Sequence, residues 1–121
     1  MSTITVTNIK ATGETGSRFA TSITAAWVNF NGESTLAIRD SGNVASVTDN
    51  GTGDYTINFT SVPANANYSV VNGGILNRGA SSSRLEATNV RTTTQCQVYG
   101  DNGGTLTDFP YLEFSVNGDL A

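Results

Sequence analysis

Hydrophobic and polar residues alternate one by one in several short stretches of the chain. In the clearest stretch, Tyr55, Ile57 and Phe59 fall on one side of an extended chain, with polar residues between them. This alternation is typical of a β-strand with one buried face. The preceding residues 49–54 (Asp-Asn-Gly-Thr-Gly-Asp) supply the asparagine and glycines that tight turns favour. The pattern therefore predicts a β-hairpin over residues 44–59 that places three large side chains in a core.

Other segments repeat the alternation. Ala26, Val28 and Phe30 share one face, opposite Trp27, before a break at Gly32. The last predicted strand is the most regular, with residues 112, 114 and 116 apolar and residues 111, 113, 115 and 117 on the other face. Shorter runs lie at residues 2–9, 36–39, 68–71, 84–89 and 95–99, with turn signals at residues 32–34, 40–43 and 100–105. About eight or nine short strands with turns between them predict an all-β fold, an antiparallel β-sandwich of jelly-roll-like form.

The N-terminal residues are predicted to form an arm (residues 1–24) that precedes the β-sandwich domain (residues 25–121). Residues 11–22 lose the periodicity, and Phe19 and Ile23 are the only large apolar anchors of this stretch. Such an arm either packs on a neighbouring subunit or docks onto another protein, and the alternative is a loosely ordered terminus.

Composition narrows the classes of function. The chain has 121 residues, of which 37% are apolar and 13% charged, with a net charge of −4. Its six Lys and Arg residues are dispersed, which argues against a nucleic-acid partner. No apolar segment reaches bilayer length, and the N-terminus lacks the pattern of a secretory signal, so we expect synthesis in the cytoplasm and no membrane insertion.

The chemistry-bearing residues favour a protein that is not an enzyme. Histidine is absent, which removes histidine-based acid–base catalysis and most zinc sites. Cys96 alternates with polar residues, so a buried core position is favoured over a reactive thiol. The carboxylates of residues 49–54 could suggest Ca²⁺, but a calcium loop needs more oxygen ligands, and a plain turn is favoured. Paired carboxylates for glycoside cleavage remain formally possible. We expect no cofactor and no metal.

Four segments together carry a resemblance to a known family. They are residues 26–32 (Ala-Trp-Val-Asn-Phe-Asn-Gly), 36–41 (Leu-Ala-Ile-Arg-Asp-Ser), 47–59 (Val-Thr-Asp-Asn-Gly-Thr-Gly-Asp-Tyr-Thr-Ile-Asn-Phe) and 67–68 (Asn-Tyr). In this order they resemble a domain of tail-fibre proteins of tailed bacteriophages, many of them marine or cyanobacterial. The opening Ser-Thr-Ile-Thr-Val also looks like the start of such proteins. The likeness is close over residues 25–68 and loose beyond them, and the chain is shorter than many fibre proteins.

The resemblance implies a trimeric, β-rich virion protein that contributes to host recognition and attaches to other virion proteins through its N-terminal part. The first hypothesis is therefore a tail-fibre protein that binds a glycan or a protein of the host surface. A capsid decoration or cement protein of similar fold is the alternative, and a depolymerase is a third. A homotrimer is favoured, because sister copies would bury the apolar anchors Phe19 and Ile23 and the face of the strand that carries Trp27.

Two loops offer candidate receptor contacts, which the resemblance does not identify. Tyr99 combines an aromatic face with the polar groups of Asp101 and Asn102 on the adjoining loop. Arg78 and Arg84 flank a serine-rich loop and could meet acidic surface sugars. In each case a solvated loop is the simpler interpretation. Trp27 could stack on a sugar, but a core or subunit-interface position is favoured.

Overall fold

The computed structural model describes residues 2–10, 12–19, 23–74, 81–82 and 90–121. Within these residues the chain forms strands and no helix. In chain order the strands are β1 (Asn8–Ile9), β2 (Arg18–Phe19), β3 (Thr24–Asn31), β4 (Ala37–Gly42), β5 (Val44–Gly51), β6 (Asp54–Phe59), β7 (Ser69–Gly74), β8 (Ser81–Ser82), β9 (Gln95–Tyr99), β10 (Asp101–Asn102), β11 (Thr105–Leu106) and β12 (Leu112–Asn117). The prediction of an all-β fold is confirmed.

The strands of the described residues form antiparallel sheets. The largest sheet has the order β4-β3-β12-β7, and the second has the order β5-β6-β9. Two smaller sheets are β11-β10-β8 and the pair β1-β2. The predicted central hairpin is confirmed as β5 and β6, whose pairing runs to Gly51 opposite Asp54. Gly53 lies between them with a φ of 66°, a conformation that glycine adopts without strain.

One apolar core receives side chains from both large sheets. On β3 the alternating residues Ala26, Val28 and Phe30 are buried, and so is Ala25, while on β12 every second residue is buried, as the alternation predicts. Phe30 meets Tyr55 of β6 edge to face, with ring centroids 5.0 Å apart. The remaining members of the core are Val47, Ile57, Phe59, Tyr68, Cys96, Val98 and Phe109 together with Leu112, Phe114 and Val116. Hydrophobic burial across the two sheets therefore stabilises the arrangement.

The chain passes from one large sheet to the other at Asn43, between β4 and β5. The predicted turn at residues 40–43 is too long, because β4 continues to Gly42. Asn43 alone makes the corner, with a φ of 57°. Its Nδ2 donates to the carbonyls of Ala25 and Ser61 at 3.0 and 2.9 Å, and its Oδ1 accepts from the Ser61 N–H at 2.6 Å. These hydrogen bonds compensate for a left-handed conformation that few side chains adopt.

Two predictions about the N-terminal residues need correction. The strand predicted over residues 2–9 is confined to Asn8–Ile9. Residues 11–22 were expected to lack regular structure, whereas Arg18–Phe19 pairs with Asn8–Ile9 as a short antiparallel ladder. Ile4 lies in a stretch of alternating residues, but it belongs to no strand of a sheet and is exposed. Sequence alternation alone does not make a strand when no neighbouring strand pairs with it.

The turn predicted at residues 100–105 is shorter in the structure, because most of this segment forms two strands. Residues 101–106 form a tight hairpin of β10 and β11, with Gly103 and Gly104 at φ values of 62° and 97°. The Gly104 N–H donates to Oδ1 of Asp101 at 2.7 Å, which fixes the turn. The strand predicted at residues 84–89 lies outside the described residues.

Candidate functional site: the outer face of the four-stranded sheet

The outer face of the four-stranded sheet carries an aromatic side chain beside polar ones. Because residues alternate along a strand, the inward course of Val28 and Phe30 turns Trp27 and Asn29 outward. The register with β12 then places Ser115 opposite Trp27 and Glu113 opposite Asn29. An indole, an amide, a carboxylate and a hydroxyl therefore share one patch of the sheet surface, which we call the Trp27 face.

The indole of Trp27 lies against its neighbour on the other side, Gly42 of β4. The two residues are directly paired across the strands. A Cβ atom on Gly42 would overlap Nε1 of the indole, and would approach its Cδ1 to 2.8 Å. The indole thus occupies the space above the glycine, and 42% of Trp27 is exposed. Trp27 is therefore not a core residue of the single chain, and its expected position at a subunit interface stays a prediction.

A line of polar contacts continues from the indole across the sheet. Asn29 Nδ2 donates to Oε1 of Glu113 at 3.0 Å, and Arg39 Nη1 approaches Oδ1 of Asn29 at 3.5 Å. The Arg39 guanidinium lies over the ring of Tyr111, 3.9 Å from its centroid, in a cation–π contact. These contacts orient the Asn29 amide, with its NH₂ toward the carboxylate and its oxygen toward the guanidinium. The polar side chains of the face are consequently positioned before any ligand arrives.

A shallow pocket opens next to the indole. Its volume is about 340 Å³, and its lining is Trp27, Val28, Asn29, Glu113, Phe114 and Ser115. Small-molecule pockets usually enclose roughly 300–1,000 Å³, so this one suits a small or single-ring group. It combines apolar area with hydrogen-bonding groups, which is the composition that orients a polar ligand on an aromatic surface.

Burial raises the pKa of three titratable groups in the core, so these groups hold their protons tightly. Burial raises the pKa of the Cys96 thiol to about 12, with Arg91 acting in the opposite direction. Burial likewise raises the pKa of the Tyr68 hydroxyl to about 12. Burial, and then the hydrogen bond with Asp108, raise the pKa of the Tyr55 hydroxyl. Cys96 is a buried, unpaired thiol, as the sequence predicts, and a protonated, enclosed thiol is a poor nucleophile.

Two of the receptor-contact candidates are buried in the structure. Tyr99 and Asp101 are only 8% and 2% exposed, so the exposed position assumed for them is wrong. Their segment is enclosed by other parts of the chain: the Gly100 N–H donates to the Gly53 carbonyl at 2.8 Å, and the Thr107 N–H donates to the Gly100 carbonyl at 2.9 Å. Asn102 is exposed at the tip of this hairpin. Its contact role stays a prediction.

The other candidates are two arginines and two apolar residues of the N-terminal part. Arg78 and Arg84 fall outside the described residues. Phe19, 65% exposed, and Ile23, also exposed, project from the N-terminal residues. Asn29, Arg39, Glu113 and Tyr111 were not singled out from the sequence. Outward alternation on β3 and β12 is the signal that could have found Asn29 and Glu113.

Over the part of the chain that the structure describes, there is neither a cluster of metal ligands nor a helix able to span a membrane. Across these residues, no three Cys, Asp or Glu side chains converge as metal ligands would. None of them belongs to a helix of the length and apolarity that crossing a membrane requires. Comparison with protein-family models gave no match, and neither did searches of curated proteins and of solved structures.

Proposed function

We propose that this chain is a non-enzymatic virion protein of a tailed bacteriophage, located in the tail fibre, which contributes to attachment to a glycan of the host surface. The observation that carries the proposal is the exposed indole of Trp27 beside a pocket that Asn29 and Glu113 line. An aromatic ring with pre-oriented amide and carboxylate groups is suited to the apolar faces and the hydroxyls of a sugar. The resemblance of residues 25–68 to tail-fibre domains points to the same role.

The proposed form is an antiparallel β-sandwich of jelly-roll-like type, assembled as a homotrimer. The shared core of the two large sheets supports the sandwich. Exposed apolar side chains on the N-terminal residues support association, since Ile4, Val6 and Phe19 would be buried by sister copies or by another virion protein. Three copies, and several fibres on a particle, would multiply a weak sugar contact through avidity.

Cell binding by the purified full-length chain tests the function. We expect the labelled protein to coat cells of the strain on which the phage grows and to reduce infection when added in excess. Trp27→Ala is expected to weaken both effects at least about tenfold, the usual scale for truncating a central aromatic contact. Val62→Ala, a truncation of another exposed apolar residue, is the matched control and should leave both unchanged. Failure of the wild-type chain to bind cells would overturn the function.

The assembly has its own measurement. Sedimentation of the full-length chain at micromolar concentration should give the mass of three copies. A monomer at that concentration would contradict the homotrimer and the role of avidity. Deletion of residues 1–22 would then show whether the N-terminal arm serves trimer formation or attachment to the virion.

A capsid decoration or cement protein is the second candidate. The exposed apolar side chains Ile4 and Phe19 favour it, because exposed apolar surface often marks a site that docks on another protein. Electron microscopy with antibodies against the chain separates the two proposals. Label on the tail supports the fibre, and label on the head supports the capsid protein.

A further inference from the structure

We infer that the pocket of the Trp27 face is a subsite for one uncharged hexopyranose ring, which stacks on the indole and donates a hydroxyl hydrogen bond to Glu113. This inference rests on the proposed function and deepens it by naming the ligand class. A pyranose ring has C–H groups on a flat face and hydroxyls around its edge. The pocket offers the complement of both: an aromatic surface at one wall and hydrogen-bonding side chains at the other.

The aromatic wall of the pocket depends on a glycine in the neighbouring strand. Trp27 lies across from Gly42, and the absent Cβ leaves room for the indole to lie on the sheet. Gly42 does not have a positive φ, so the turn chemistry that usually calls for glycine is not the reason for it here. Space for the indole is the physical reason that the structure supplies. The consequence is an indole that lies over Gly42 and lines the pocket with part of its surface.

The polar wall accepts hydrogen bonds more readily than it donates them. An ionised Glu113 side chain has acceptors only, while Ser115 both donates and accepts. The Asn29 amide is already turned toward Glu113 and Arg39 by its two contacts. Sugar hydroxyls are good donors, and a hydrogen bond to a charged acceptor is stronger than one between neutral groups. The pocket is therefore suited to bind a ligand through its hydroxyl groups.

Charge selects among sugars. Glu113 is the only charged residue that lines the pocket, and the chain as a whole carries a net charge of −4. Arg39 lies beyond Asn29, where its guanidinium contacts the Tyr111 ring. A sugar carboxylate in the pocket would approach a like charge, which costs free energy. Uncharged hexoses are thus favoured over uronic acids.

Tryptophan fluorescence gives a direct measurement, because Trp27 is the only tryptophan of the chain. The probes are the methyl pyranosides of glucose, galactose and mannose, with glucuronic acid as the charged probe and mannitol as a polyol without a ring. We expect a saturable change in the Trp27 emission with at least one methyl pyranoside, at concentrations up to about 100 mM, the range in which a single weak contact is seen. Glucuronic acid should bind at least about fivefold more weakly, and mannitol should cause no saturable change.

Two variants test the two walls. Gly42→Ala should displace the indole and weaken pyranoside binding at least about tenfold, while circular dichroism stays that of the wild type. Glu113→Gln should weaken binding of the neutral probe and narrow the difference from glucuronic acid, because the repulsion is gone. Val62→Ala is again the control and should bind as the wild type does. Gly42→Ala keeps the indole in the protein, so it remains informative even if Trp27→Ala disturbs the sheet.

The outcomes separate this inference from the proposed function. Cell binding by the wild type without any saturable pyranoside signal would overturn the hexose subsite and leave the attachment function standing. If the protein does not bind cells but gives a pyranoside signal that Gly42→Ala abolishes, the attachment function is overturned and the hexose subsite stands. An equal response to mannitol, or tighter binding of glucuronic acid than of every neutral probe, would also overturn the subsite.

Discussion

The Tyr55 hydroxyl donates a hydrogen bond of 2.6 Å to Oδ1 of Asp108, which joins the central hairpin to the segment that leads into the last strand. The Gly53 N–H donates to the same oxygen at 2.7 Å. The Tyr55 hydroxyl also lies 3.4 Å from the carbonyl of Gly32, which follows β3. Tyr55 is fully buried. The Asp108 carboxylate therefore joins the β5–β6 hairpin to the segment before β12, and the Tyr55 hydroxyl adds a contact with the residue after β3.

Tyr55→Phe is expected to lower the free energy of unfolding by about 1–3 kcal/mol. The ring still fills the core, but Asp108 loses one of its two donors in a part-buried position, and a charged acceptor without its donor is costly. Urea unfolding followed by circular dichroism measures the change. Tyr111→Phe makes the same chemical change on the exposed face and should shift stability by less than about 0.5 kcal/mol. Equal losses in the two variants would contradict the role given to Asp108.

The corner at Asn43 should be sensitive both to its conformation and to its side chain. Asn43→Gly keeps the left-handed conformation but removes the hydrogen bonds to Ala25 and Ser61, which we expect to cost about 1–3 kcal/mol. Asn43→Ala should cost about 1 kcal/mol more, since alanine is strained at a φ of 57°. The same urea unfolding experiment compares the two. If alanine were tolerated as well as glycine, the corner would not depend on that conformation.

The faces of the long strands could be predicted from the sequence because burial of alternate side chains is a local property. Tyr55, Ile57 and Phe59 needed only their own spacing, and so did the apolar residues of β12. The same reasoning overestimated Ile4, whose alternation finds no pairing strand. A strand is stable only beside a neighbour, and the identity of the neighbour is not written in its own residues.

The Trp27 face could not be predicted, since its members are distant in sequence. Asn29 and Glu113 are 84 residues apart and meet only through the register of β3 with β12. The sequence predicts a turn at Gly42, and only the fold pairs this residue with Trp27. Burial of Tyr99 was not predicted either, because it also depends on residues distant in sequence. Its glycine-rich neighbours resemble an exposed loop, but contacts of that segment with Gly53 and Thr107 enclose it.

Two glycines provide a matched pair for the close approaches in the sheets. A Cβ on Gly32 would overlap the Tyr55 hydroxyl and come within 2.9 Å of Leu112 Cδ1, and both side chains are fully buried. Gly32→Ala should therefore destabilise by about 1–3 kcal/mol, the usual cost of overpacking a core. Gly42→Ala meets the exposed indole of Trp27, which can move, so its cost should stay below about 1 kcal/mol. A larger loss in Gly42→Ala than in Gly32→Ala would contradict this assignment.

Alkaline pH should destabilise the fold through groups that keep their protons more tightly when folded. The pKa of the Cys96 thiol is raised from 9.0 to about 12, and that of the Tyr68 hydroxyl from 10.0 to about 12, in both cases by burial. Between the unfolded and the folded pKa the unfolded chain binds fewer protons, so stability falls as pH rises. The contribution of these groups is therefore complete below about pH 9 and is lost progressively toward pH 12.

Cys96→Ala separates the two groups. In the wild type the free energy of unfolding should be flat up to about pH 9 and then fall, by no more than about 1.4 kcal/mol per pH unit for each group. The variant starts from lower stability, because Cys96 is 1% exposed and its removal leaves a small cavity. Its stability should nevertheless stay flat to about pH 10, where deprotonation of tyrosines in the unfolded chain begins. Urea midpoints at half-unit steps from pH 8 to about pH 11 resolve the difference in slope. If the variant and the wild type lose stability in parallel between pH 9 and 10, the buried thiol does not control the alkaline limit.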